Sequence, residues 1–510
     1  MNLGEMLTWN ATCYPEKTAL VFEDLRLSYR QFNERVNQLA NGLLSLGVKK
    51  GDKVASILSN CPEAVEVYFA LAKIGAVLVP VNPMVKGNDL VMQLNNSDSI
   101  GLIVGDEYAG EVEQIKPELH KIPDARYLVV GEESTRGFAL YRDLRNQSST
   151  TEPETAVDEN DIYNIMYTSG TTGLPKGIVM THRMRLLYAM FFGLEFGVSF
   201  DSKILCSSAI YFNGSFLFLM ANFFIGATFV LMRKFDANEV LKTVQKEKIT
   251  HTFMVPTQFI ALLSHPDFKE YDTSSLQCLL SAAAPLSKKT KEDILANFKC
   301  KLFELYGLTE GIVTVLRPQE QFTKLGSVGL PHFFSQIKIL DDHLRELPAG
   351  EVGEIAGKGP LLMLGYYNNP QATAQAIYNG WLLTGDVGRL DEEGYLFLLD
   401  RKKDMIISGG VNIYPRDMEE VLARHPKISE CCVFGIPDDK WGESPRAAIV
   451  LKSGCEATED EILSWCNPQL AKYQRIKSVE FMKEFPRNPA GKILKRTLRE
   501  PFWRDRDRQI

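Results

Sequence analysis

Strand-length apolar runs alternate with helix-length amphipathic runs over the first hundred residues, and this alternation constrains the fold more than any other feature of the chain. In "LSYRQFNERVNQLANGLLSLGV", Phe32, Val36, Leu39, Leu43 and Leu46 share one helical face and Gly47 supplies a stop. A strand follows over 54–58, then a helix opened by Pro62 and closed near Gly75, a strand over 76–79, a helix around 89–94 and a strand over 101–104. Parallel neighbours need a crossover rather than a hairpin, so strands alternating with helices predict doubly wound α/β sheets. Residues 205–280 repeat the pattern. Within them "FLFLMANFFIGATFVLM", 216–232, is 17 residues long, short for a membrane span, and contains Asn222, Gly226 and Thr228. It reads as a buried helix to about Phe224, a turn at Gly226 and a strand from Ala227.

From about Ser327 the texture changes to short strands and Gly-rich turns, as in "GSVGLPHFF", "LPAGEVGEI" and "EEGYLFLLD". This predicts a β-rich lobe that completes a large N-terminal domain over 1–400. Beyond it Pro415 opens a fresh helix, strands follow over 431–434 and 447–451, and a basic segment "PRNPAGKILKR" comes last. A small C-terminal α/β domain is therefore expected over 405–510, joined to the first at 401–404.

The formal charge of −7 offers no basic footprint for nucleic acid. Nine cysteines without C-x-x-C spacing read as reduced structural thiols, which points to a reducing, cytoplasmic compartment. The opening "MNLGEMLTWNATCYPEK" lacks a basic start before an apolar core, so it does not read as a signal peptide. The seven histidines are scattered and form no H-E-x-x-H.

The chemistry concentrates first in "NIMYTSGTTGLPKGIVMTH", 164–182. Gly170, Gly173 and Gly177 let the backbone turn several N–H groups toward one anion. Thr168, Ser169, Thr171 and Thr172 add hydroxyls, and Lys176 adds a mobile point charge. The flanks "IYNIMY" and "GIVM" read as strands, which sets the loop at a sheet edge, where open α/β folds bind nucleotides. No Walker A register fits, and on these residues alone a phosphate cradle and a plain polar turn both stay open.

With "YGLTEG" (306–311), "WLLTGDVG" (381–388), "DRKKDMIISGGVNIYP" (400–415) and "PRNPAGKILK" (486–495) following in order, the loop resembles the signature of the adenylate-forming superfamily, and within it the AMP-dependent acyl-CoA synthetases. The resemblance spans nearly the whole chain. It implies an acid–thiol ligase. The carboxylate displaces pyrophosphate from the α-phosphate of ATP, and the thiol of CoA then attacks the acyl-adenylate and expels AMP. The resemblance further implies that Thr168, Ser169, Gly170, Thr171, Thr172 and Lys176 hold the β- and γ-phosphates. Tyr306 and Gly307 would flank adenine, Thr309 would bond the α-phosphate, and Glu310 with Thr168 would hold Mg²⁺. Alone, "YGLTE" also reads as a helix start capped by Thr309. Asp386 and Arg401 would bind the ribose. Ala283 and Ala284 stand where the family usually has glycines beside adenine and the acyl group. Lys492 would be the catalytic cation on a mobile C-terminal domain, Lys403 the hinge, and Gly409 and Gly410 the lining of the CoA channel.

The acyl pocket is expected around "SSAIYFNGSFLF", 207–218. Tyr211 stands where many CoA synthetases carry His. Asn213 stands near the Asp that amino-acid adenylating relatives use for the substrate ammonium, and an uncharged amide suits an acid without one. Phe212, Phe216, Met254 and Phe259 read as pocket lining or as plain core. Arg183 and Arg185 read as solvated helix-face charges, with a second substrate carboxylate as the other option. The favoured reading is a ligase for an apolar acid, a medium- or long-chain fatty acid before an aryl or alicyclic one. An adenylating enzyme that loads a carrier protein is a further alternative, as is a luciferase-like oxygenase, and a non-enzymatic nucleotide-binding protein would leave the Lys492 motif idle. Carboxylic acid, ATP, Mg²⁺ and CoA are the expected small molecules, with no nucleic acid, no membrane span, and a homodimer left open.

Overall fold

The computed structural model describes residues 1–133, 135–168, 176–401, 404–409, 411–487 and 493–504. The alternation of the sequence becomes helices and strands where it was expected. Ser28 caps the helix Tyr29–Ser45 in a box with Gln31, and Phe32, Val36, Leu39 and Leu43 are buried along its inner face. Pro62 opens the helix Pro62–Ile74, and Gly75 closes it in the left-handed region at φ 64°. The apolar stretch 216–232 is a helix, Asn213–Ile225, a left-handed Gly226 and a strand, Thr228–Leu231. Among the described residues no helix is long and apolar enough to cross a membrane.

The chain divides into two compact units, one of Met1–Gln321, His332–Ser335 and Lys358–Leu382, the other of Phe322–Pro331, Gln336–Gly357 and Leu383–Ile510. Two large sheets organise the first. In one, the strands Lys301–Gly307, Cys278–Ala282, His251–Met254, Lys203–Cys206, Thr228–Leu231 and Thr18–Phe22 lie side by side and all parallel. In the other, Val77–Pro80, Lys53–Ile57, Ser99–Gly105 and Tyr127–Val130 run parallel, and an antiparallel hairpin, Ile162–Thr168 and Lys176–Thr181, extends it toward the edge strand Gly365–Tyr366.

Side chains alternate across a strand, so each sheet feeds two cores. Val54 and Ile204 point into one shared core with the helices Tyr29–Ser45, Pro62–Ile74, His182–Phe196 and Asn213–Ile225. Their neighbours Ala55 and Leu205 point into separate outer cores. The resulting layers are helix, sheet, helix, sheet, helix, which is the doubly wound arrangement expected.

The second unit is β-rich, with Trp381–Leu390 antiparallel to Leu396–Arg401. Its C-terminal part packs the sheet strands Ile428–Asp438 and Gly442–Leu451 against the helices Pro415–Leu422 and Glu459–Cys466 around Ile449, Met418 and Ile462. All nine cysteines are free thiols.

Candidate active site

Parallel strands put all their carboxyl ends on one edge, and in the first unit that edge collects the expected residues. In spatial order the strand Lys301–Gly307 leads to Thr309 and Glu310, Cys278–Ala282 to Ala283 and Ala284, His251–Met254 ends at Met254, and Lys203–Cys206 leads to Ser207 and Tyr211. Ligands of open α/β sheets bind outside such an edge. Two hydroxyls buried at these strand ends, those of Ser207 and Ser281, have no hydrogen-bond partner among the described residues. Buried polar groups are normally satisfied, so both are suited to a group that is supplied from outside.

The Gly-Thr loop springs from the other sheet. Thr168 and Lys176 face each other as its two stems, while Ser169, Gly170, Thr171 and Thr172 lie outside the described residues. The Lys176 ammonium stands 4.9 Å from the centre of the Tyr366 ring, and the Tyr366 hydroxyl donates to Glu310 Oε1 at 3.0 Å. Burial and the Glu310 carboxylate hold that hydroxyl protonated, well above the ordinary tyrosine range. Tyr366 thus connects the stem of the Gly-Thr loop to the expected metal ligand. Sequence reasoning missed it, because it sits in a two-residue strand that no periodicity marks.

Glu310 is held from below as well. Its carbonyl accepts from Met363 N at 2.8 Å, and the next residue, Gly311, has φ 107° with the place of a Cβ only 1.8 Å from Leu361 O. Only glycine fits there. The helix start that "YGLTE" alone allowed does not form, since residues 308–311 turn the strand Lys301–Gly307 back into the antiparallel strand Val313–Leu316. Tyr306 is half-buried and Gly307 exposed beside it. Ala283 adopts φ 71°, a left-handed conformation costly for a residue with a Cβ, at a position where the resembled family has glycine.

The acyl segment is only partly assembled as expected. Tyr211, Phe212 and Asn213 are half-buried, and the rings of Tyr211 and Phe212 lie 4.6 Å apart. Burial pushes the Tyr211 hydroxyl up to about 12. Phe216 is sealed at 0% exposure, stacked on Tyr68 in the shared core, while Met254 at 1% faces an outer core with Phe259. These two side chains face different cores, so the structure does not bring them together as one lining.

Arg183 is exposed and pairs with Glu159 at 3.3 Å, but Arg185 is not the solvated charge that was expected. It is fully buried, because the helix His182–Phe196 packs that face on the helix Asn213–Ile225. Its Nε donates to Asn164 Oδ1 at 2.9 Å, Nη1 to Asn213 Oδ1 at 2.6 Å and Nη2 to Met166 Sδ at 3.2 Å. The guanidinium lies 4.9 Å from the Tyr188 ring centre and 5.0 Å from that of Phe216.

In the second unit Asp386 and Arg401 are cross-strand partners, with Arg401 Nε 3.5 Å from the buried Asp386 carboxylate. Burial pushes the neighbouring Asp400 carboxyl up to about 6 against the pull of Lys495, and among the described residues its Oδ2 has no hydrogen-bond partner. Gly409 has φ 58° and lies against Trp441, whose ring a Cβ would meet at 2.7 Å. Lys403, Gly410 and Lys492 lie outside the described residues.

A carboxyl-end edge of a parallel sheet beside a half-buried segment of two rings and an amide is the setting in which an α/β enzyme binds its substrates. The chain belongs to the AMP-binding enzyme family: the model of that family matches residues 7–367, and the model of the AMP-binding enzyme C-terminal domain matches residues 417–492. The chain is 36% identical to a 2-succinylbenzoate–CoA ligase of Bacillus cereus, over 95% of this chain and 96% of that one. It is 34% identical to a feruloyl-CoA synthase of an Amycolatopsis species, over 98% and 99%. Among solved structures it is similar to an anthranilate CoA ligase in complex with anthranoyl-AMP, with a TM-score of 0.91 and 30% identity over 98% of this chain and 97% of that one. The protein is an AMP-forming acyl-CoA ligase that uses ATP and CoA as substrates.

Proposed function

We propose that the acid is aromatic, which replaces the fatty acid favoured by the sequence. One observation carries this reading. The side chains that the acyl segment leaves half-buried are two packed rings, Tyr211 and Phe212, and an amide, Asn213. The apolar side chains a long alkyl tunnel would need, Phe216 and Met254, are sealed in two separate cores. Flat rings select flat substrates, since offset or edge contacts contribute beyond area alone. The aromatic acids named for three of its relatives support the same reading.

In this mechanism a carboxylate oxygen of the acid attacks the α-phosphorus of ATP and pyrophosphate leaves. CoA sulfur then attacks the carbonyl carbon, and AMP leaves with the bonding electrons. Lys176 and the Gly-Thr loop hold the outgoing phosphates, Thr309 bonds the α-phosphate, Tyr306 and the Ala283–Ala284 backbone flank adenine, and Asp386 with Arg401 takes the ribose. Among the described residues no cluster of three or more acidic, His or Cys side chains could hold a resident metal. One carboxylate, Glu310, with the Thr168 hydroxyl fits Mg²⁺ that arrives on ATP, because that ion is usually held by one or two carboxylates plus phosphates. It would neutralise charge on the departing pyrophosphate.

Lys492 supplies positive charge where it develops between carboxylate and α-phosphate. The C-terminal part then turns about Lys403, so that CoA reaches the adenylate past Gly409 and Gly410. Lys492→Ala is expected to abolish ATP–pyrophosphate exchange while supplied acyl-adenylate is still converted to thioester. Exchange that survives the substitution removes Lys492 from this role.

The acid is tested by AMP release over a panel of benzoates, cinnamates and C8–C16 alkanoates, with free CoA and with a carrier protein as acceptors. Aryl acids with free CoA should exceed alkanoates by about tenfold or more in kcat/KM, the scale on which one apolar pocket discriminates. Preference for alkanoates, or turnover only with the carrier, overturns the reading.

A further inference from the structure

Arg185 is a buried cation that, among the described residues, has no carboxylate within ion-pair distance. A buried charge is normally paired, because leaving water costs more than neutral hydrogen bonds return. Here the acceptors are two amide oxygens and a thioether sulfur, with two aromatic faces alongside. The guanidinium joins the strand Ile162–Thr168, through Asn164, to the acyl segment, through Asn213.

A guanidinium can only donate, so its 2.6 Å bond fixes which end of the Asn213 amide faces it. The oxygen is taken, and the NH₂ end is the one left over, with only a 3.5 Å approach to the Tyr188 hydroxyl. Asn213 is half-buried whereas Arg185 is sealed, so of the two it is the amide that a molecule from outside could touch, with the cation behind it. In a site of low dielectric that positive potential is only weakly screened.

We infer that Arg185 is a positioning residue that turns Asn213 into a donor backed by positive charge, and that the acid therefore carries a hydrogen-bond acceptor, neutral or anionic, on the ring away from the reacting carboxylate. The inference rests on the aryl-acid reading and adds the polarity of the ring substituent. The same arrangement excludes an ammonium twice, by a donor facing a donor and by like charge.

The test uses the full chain with ATP, Mg²⁺ and CoA, and measures pyrophosphate release for benzoates bearing methyl, methoxy, carboxylate or aminomethyl at the meta or para position. Wild type should favour methoxy or carboxylate over methyl by about tenfold in kcat/KM, the worth of one hydrogen bond, and should use aminomethyl least. Arg185→Met should shrink that preference to within about threefold, through KM rather than kcat, and Arg185→Lys, which keeps a donor cation, should restore part of it. Asn213→Asp should move the preference toward aminomethyl. Equal losses on every acid in Arg185→Met, with Arg185→Lys no better, overturn the inference, and so does a wild type that uses methyl and methoxy benzoates alike. A wild type that ignores all aryl acids but takes alkanoates instead overturns the aryl-acid reading itself.

Discussion

Two regions of the first unit bury charge, and they do so in opposite ways. Between the helices Tyr29–Ser45 and Pro62–Ile74, Glu66 is fully buried yet meets Arg35 Nε at 2.6 Å, Arg145 Nη1 at 3.1 Å and the Tyr141 hydroxyl at 2.7 Å. Close by, the Lys73 ammonium donates to Glu152, Asn33, Asn37 and Thr8 at 2.5–2.8 Å. Burial lowers its pKa to about 8 and Glu152 opposes the shift. Every charge there meets its opposite, so the region is a closed structural clasp between the first helices and residue 152. Beside the acyl segment, Arg185 has no such counter-charge among the described residues. A closed network explains itself by stability, whereas an open one points to what is missing.

The sharpest way to break this contrast is Glu66→Gln. It keeps the shape but leaves Arg35 and Arg145 short of their buried counter-charge, an imbalance that typically costs roughly 3–5 kcal/mol. Urea unfolding should show that loss while the ranking of acids stays as in wild type. A loss below about 1 kcal/mol, the size expected of an exposed pair, would mean the clasp is no more structural than a surface bridge.

Asp400 lies between the two extremes. Among the described residues one oxygen accepts from Arg401 N at 2.7 Å, the other has no partner, and Lys495, Glu419 and Asp404 are charged groups that act on it. Burial raises the carboxyl from 3.8 to about 6, so the folded chain binds the proton more tightly than the unfolded one. Its contribution is therefore fully favourable below about pH 4 and fades as pH rises toward 6. Two pK units correspond to about 3 kcal/mol as an upper figure. Asp400→Asn should be the more stable protein at pH 7 by up to that amount, with the advantage shrinking toward pH 4. An advantage that does not change between pH 4 and pH 7 would mean the Asp400 carboxyl titrates as if exposed.

How much of this was legible beforehand follows from how local each feature is. The helix Tyr29–Ser45 announced itself by spacing and its Ser28 cap, and the Gly-Thr loop by its glycines and hydroxyls between two apolar strands. The pairing of Thr18–Phe22 with Thr228–Leu231 joins strands some two hundred residues apart, which no local pattern encodes. Tyr366 reaches Glu310 only because the chain returns to the hairpin edge at Gly365. Arg185 misled for a related reason. An arginine in the first turn of a helix reads as solvated, and its burial depends on a second helix docking over it. Met254 and Phe216 read alike from the sequence, as pocket lining or as plain core, but strand alternation in one case and helix packing in the other sends them to different cores.

The smallest expected effect is the most telling. Arg185→Met removes a buried charge, which by itself is often neutral or stabilising when an apolar side chain of similar volume takes its place. Against this, the oxygens of Asn164 and Asn213 lose their donor, and an unsatisfied buried acceptor costs about 1–3 kcal/mol. The Tyr188 and Phe216 rings also lose a cation, a contact of roughly 0.5–2 kcal/mol. Gains and losses of like size leave a net change within about 1 kcal/mol of wild type. Unfolding of Arg185→Met and Glu66→Gln side by side therefore separates the two regions. A large loss in Arg185→Met, comparable to that in Glu66→Gln, would make Arg185 a structural keystone too, and the missing counter-charge would no longer need a substrate to explain it.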